Sequence, residues 1–65
     1  MQPHQQRVVD EKTELDIKLD ALNNFIDTNK MFSSLSREEQ DRLYRQAYAM
    51  RGYSDILAER IGAFQ

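Results

Sequence analysis

The chain has no cysteine and no tryptophan, one proline, one histidine and two glycines among its 65 residues. Without cysteine there is no disulfide framework, no thiol nucleophile and no thiolate metal site. His4 alone, with scattered carboxylates, does not make a structural metal centre, and neither metal nor cofactor is expected. No glycine-rich phosphate loop or nucleophile elbow occurs, so no catalytic residue is assigned and an enzyme is not expected. No apolar run approaches the roughly 20 residues needed to cross a bilayer, and no basic-then-apolar leader opens the chain. A net charge of −2, with acids and bases interspersed, lacks the basic excess that DNA or RNA demands. The expectation is a cytoplasmic protein with neither membrane nor nucleic-acid partner.

What is present is helix-forming sequence. Ala, Leu, Glu, Lys, Gln and Arg dominate, and the single break runs from Asp27 to Leu35, just before Ser36-Arg37-Glu38-Glu39. That last run has the spacing of a capping box, with Ser36 receiving the Glu39 amide and the Glu39 carboxylate reaching back. Before the break, Val8, Lys12, Leu15, Leu19, Leu22 and Ile26 alternate by four and three, as residues on one helical stripe do. After it, Leu43, Ala47, Met50, Ser54, Leu57, Ile61 and Phe64 repeat the pattern. The fold class is therefore all-α: one domain over 1–65, with a helix over about 5–28, a turn over about 29–36 and a helix over about 37–63. There is room for a short N-terminal helical segment. A short connection makes the pair an antiparallel hairpin, and positions summing to 65 or 66 bring the two polar seam residues, Lys12 and Ser54, to one level. There the lysine is expected to pass the small serine and reach water.

A hairpin needs one seam, but the second helix offers two. Gln46, Ala49, Tyr53, Ile56, Arg60 and Ala63 form another stripe about 90° away, and Phe25, Phe32 and Ile17 add apolar area beyond one partner helix. So short a chain buries little surface alone, and without disulfide or metal the expected support is homo-oligomerisation through this stripe. Arg60 within it calls for an anionic partner: a carboxylate of another subunit, or a phosphate with Tyr53 offering its ring to a base. The antiparallel pairing puts Arg7 near Arg60, so the open end carries two arginines and His4. Elsewhere Glu14–Lys18, Glu38–Arg42 and Asp41–Arg45 have helix-surface ion-pair spacing. Tyr44, Tyr48 and Arg51 form a separate exposed ridge, either a surface for a partner or plain amphipathic surface. Gly52 marks either a tolerated glycine or a close approach by another backbone or a ligand.

The run Arg7-Val8, Glu11, Glu14-Leu15, Lys18-Leu19, Leu22, Phe25-Ile26, then Leu43, Gln46, Met50, Tyr53, Ile56-Leu57 and Arg60-Ile61, resembles a group of very short bacteriophage and prophage proteins. Within it the chain is similar to the anti-CBASS sponges, which disarm a bacterial cyclic-nucleotide alarm by sequestering the messenger uncleaved. The resemblance implies a helical homo-oligomer, a hexamer, in the host cell cytoplasm, with pockets between subunits for cyclic dinucleotides or trinucleotides. On matching positions Arg60 binds phosphates in the trinucleotide pocket and Lys18 serves the dinucleotide pocket. The sequence departs from that group near its N-terminus, where an aromatic residue should stack on a base: no tyrosine precedes Tyr44, and the region reads Pro3-His4-Gln5-Gln6. The rival reading is a homo-oligomeric adaptor or structural protein whose second stripe meets only protein.

Overall fold

The computed structural model describes residues 1–64. Three helices follow in order: α1 over Pro3–Thr28, α2 over Lys30–Ser34 and α3 over Arg37–Gly62. α1 and α3 pack antiparallel in a rod of 47 × 15 × 13 Å. No strand occurs among the described residues.

Both helix starts have a local cause. Pro3 occupies the first turn of α1, where its missing N–H is no loss. The Gln2 amide donates to Gln5 Oε1 at 2.9 Å. The N-terminal helical segment is thus the first turn of α1 itself. At α3, Ser36 Oγ accepts the Glu39 amide at 3.1 Å, one half of the expected capping box. The other half is missing: the Glu39 carboxylate turns away to Arg42 Nε at 2.7 Å, a stronger, charge-assisted partner.

The expected turn contains a helix of its own. Asn29 ends α1 in an extended conformation, and its side chain accepts the Met31 amide at 2.8 Å, starting α2. At the far end Gln40 Nε2, reaching back from α3, donates to the carbonyls of Phe32 at 3.0 Å and Leu35 at 3.1 Å. Phe32 is the anchor of this corner, edge-on to Phe25 at 6.2 Å and to Tyr44 at 5.4 Å. It is buried within the single chain, so it does not add to the uncovered apolar surface as the sequence suggested.

Every residue of the two expected seams is buried or half-buried. The buried apolar side chains among the described residues are nevertheless only Val8, Leu19, Phe32 and Leu57, and of these Leu57 alone is fully buried. At about 1.5–3 kcal/mol each, these four supply little against the ordering entropy of a chain this long. Ile17, Tyr44, Tyr48, Tyr53 and Ile56 stay exposed.

Candidate functional site

The register is set at the polar level of the seam. Lys12 Nζ donates to Ser54 Oγ at 2.9 Å, which places positions summing to 66 opposite each other. The lysine does not simply pass the serine: it bonds to it, with its side chain still 27% exposed. It also pairs with Asp16 Oδ2 at 2.7 Å, while Ser54 Oγ donates to Asp16 Oδ1 at 2.5 Å. Ser54 is only 4% exposed, so its hydroxyl needs these partners, and the closed triad leaves no buried side-chain polar atom unsatisfied among the described residues. The Lys12 hydrogen bond, followed by that from Ser54, holds the Asp16 carboxyl below its ordinary value of 3.8.

Either side of this seam, the 3.6-residue repeat divides the remaining side chains into two flanks. On one, α1 contributes His4, Arg7, Glu11, Glu14, Lys18, Ala21 and Phe25, and α3 contributes Gln46, Ala49, Tyr53, Ile56, Arg60 and Ala63. All five residues singled out from the sequence, Arg60, Lys18, Arg7, Tyr53 and His4, therefore share a flank, and all five are exposed. They do not meet at one point. The register sets Arg7 opposite Glu59 and His4 opposite Gly62, so both gather with Arg60 at the open end. Lys18 lies opposite Tyr48, about 18 Å along the axis from the level of Arg60 at 1.5 Å per residue. Glu11 and Glu14 intervene.

No carboxylate of the described residues lies within ion-pair distance of Arg7, Lys18 or Arg60. Glu14–Lys18 is thus not formed, and Arg42 takes Glu39 rather than Glu38. Asp41–Arg45 forms as expected, at 2.9 Å. Tyr53 and Ile56, at 44% and 57% exposure, carry apolar area that the described residues leave uncovered.

The opposite flank holds an open cleft of about 310 Å³ lined by Lys12, Asp16, Leu19, Asp20, Arg51, Ser54 and Asp55. Sequence reasoning gave this flank the ridge of Tyr44, Tyr48 and Arg51, as a partner surface or plain amphipathic surface, and assigned no site to the cleft. Its signal was present, since Thr13, Asp16 and Asp20 on α1 and Tyr44, Tyr48, Arg51 and Asp55 on α3 alternate by three and four one position beyond each seam.

The chain is thus a minimal helical hairpin with cations and exposed aromatic and aliphatic side chains along one flank. Comparison with known proteins gives the class a family. The profile described as Sequestin matches residues 2–63, and the chain belongs to that family. An Enterobacteria phage T4 protein, described as an uncharacterized 7.5 kDa protein in the denB-rIIB intergenic region, is 35% identical over 65 residues, spanning 100% of both chains. The family name denotes sequestration and the relative is a phage protein, in keeping with the phage resemblance of the sequence. No solved structure matches the chain significantly. No helix among the described residues is long and apolar enough to cross a membrane.

Proposed function

We propose that this protein sequesters cyclic oligonucleotide second messengers, cyclic dinucleotides or trinucleotides, and holds them intact so that a CBASS-type anti-phage alarm is not relayed. The observation that carries this reading is the open end of the hairpin. Arg60 is exposed, has no carboxylate partner among the described residues, shares its flank with Tyr53 and lies at the level of Arg7 and His4. Two guanidinium groups, with an exposed aromatic ring two turns along the same flank, suit phosphates linked to bases.

Assembly is part of the proposal. One chain offers a surface, not an enclosed pocket, and small-ligand sites enclose most of their ligand. Copies of the chain meeting through Tyr53 and Ile56 enclose the ligand and let each subunit contribute its arginines. The protein supplies no nucleophile and leaves the ligand unchanged.

Calorimetric titration with a panel of cyclic di- and trinucleotides tests this. A charge-assisted hydrogen bond contributes about 1.5–3 kcal/mol, so Arg60→Ala should weaken binding by about 10- to 100-fold for each arginine a ligand engages. The ligand should be recovered uncleaved. Absence of binding across the panel removes the proposal and leaves a protein-binding adaptor.

A further inference from the structure

The two ends of the hairpin are held in different ways. At the closed end Phe32 packs between Phe25 and Tyr44, and Gln40 ties α3 to the carbonyls of Phe32 and Leu35. Toward the open end the buried side chains are Val8, Ser54 and Leu57. Among the described residues, only two side-chain hydrogen bonds join α1 to α3: Lys12 Nζ donates to Ser54 Oγ at 2.9 Å, and Ser54 Oγ donates to Asp16 Oδ1. Both pass through the hydroxyl of Ser54, a residue 4% exposed.

Apolar burial has no direction, so Val8 and Leu57 stay covered through a modest turn of α3 about its own axis. A hydrogen bond does have direction and weakens steeply when bent. The triad thus fixes what the apolar seam leaves soft, the rotation of α3 against α1. Replacing a buried polar pair by apolar residues of similar volume is often neutral or stabilising, so an apolar level would serve the fold as well. What it would not supply is that direction.

The consequence falls on the open end. Arg7 lies five residues before Lys12 and Arg60 six after Ser54, roughly 8–9 Å along the axis at 1.5 Å per residue. No carboxylate of the described residues holds either arginine, so the backbone beneath each one sets its place. Arg60 stands one position before the seam residue Ile61, about 100° around the helix. A turn of α3 therefore swings it toward the seam or off the flank it shares with Arg7.

We propose that Lys12, Asp16 and Ser54 are positioning residues for the open-end site: the triad sets the rotation of α3 and so holds Arg60 on the flank, and at the level, of Arg7. None of the three touches the ligand. For its ligand this inference rests on the sequestration reading above; for its geometry it does not.

The test compares the wild type with Ser54→Ala, which removes both bonds between the helices, and with Lys12→Met/Ser54→Ala, which makes the level apolar. Asp16, 41% exposed, can turn to water in the second. Each is titrated with the panel of cyclic di- and trinucleotides, melted, and checked for helix content by circular dichroism and for mass by light scattering. Because the chain has no cysteine, Glu14→Cys with Glu59→Cys adds the sole thiols, at two exposed positions. Spin labels there, diluted into unlabelled chain, report the rotation within one hairpin by their distance. Expected in the apolar variant are a melting temperature no lower than the wild type's, unchanged mass, a shifted or broadened label distance, and binding at least tenfold weaker. Ser54→Ala should show the same label change and loss of binding. An unchanged label distance, wild-type binding in the apolar variant, or binding lost only in step with melting temperature or helix content overturns the proposal. A wild type that binds no member of the panel removes the sequestration reading, and the label distance alone then decides whether the triad sets the rotation.

Discussion

At the scale of single residues, the seam is governed by one polar level. Lys12 and Ser54 interrupt otherwise apolar stripes, and the hydrogen bond between them pins the register, because sliding either helix would strand a buried hydroxyl beneath a lysine. Asp16 completes the triad and carries its pH dependence. Its folded pKa is lowered below 3.8, chiefly by the Lys12 hydrogen bond, so its contribution to stability is fully present above the unfolded value and is lost as pH falls through the folded one. Thermal melts should accordingly show a fall below about pH 4 to which Asp16 contributes, and Asp16→Asn should flatten that part of the profile while lowering stability at neutral pH. An unchanged acid limb in the variant would assign the loss to other carboxylates. The side chain is 41% exposed, so the effect is modest. The level of Lys12 with Ser54 was legible in the sequence because both sit on the seam. Asp16 was not, since it lies one position beyond that seam, where an acid ordinarily reads as solvated surface.

At the scale of elements, spacing and capping located both long helices to within two residues at each end. The short α2 was illegible for a physical reason. A five-residue helix carries no periodicity, and this one exists because Asn29 and Gln40 cap it from outside and Phe32 pins it between Phe25 and Tyr44. Caps therefore carry measurable weight. Ser36→Ala should cost about 1 kcal/mol in chemical denaturation, with Glu39 unable to compensate because its carboxylate is held by Arg42. Gly52 makes the opposite prediction. It lies inside α3 with ordinary helical backbone and nothing within 4 Å of an added methyl group, so in the isolated hairpin Gly52→Ala should stabilise by about 0.5–1 kcal/mol. A destabilised or disassembled Gly52→Ala variant would instead mark this position as a place where another chain or a ligand comes close.

At the scale of the whole molecule, the described residues bury four apolar side chains, Leu57 alone fully, and leave Tyr53, Ile56, Ile17 and Tyr48 in water. A chain of this length rarely stands on so small a core, and Tyr53, Ile56 and Tyr48 fall on the flanks of the seam, where another copy can reach them without disturbing the hairpin. Ile56 is the residue on which to test this. It makes its flank apolar at 57% exposure, and a charge there can turn to water within one chain. If copies assemble through this flank, the wild-type melting temperature rises with protein concentration, since association stabilises the folded state by mass action. Ile56→Asp should then abolish that dependence and reduce the mass in light scattering to a single chain. It should also weaken cyclic oligonucleotide binding although position 56 carries no phosphate-binding group. A wild type whose melting temperature ignores concentration and whose mass is that of one chain would mean that the hairpin stands alone, and any ligand would then have to be held on an open surface by Arg7 and Arg60 of one molecule.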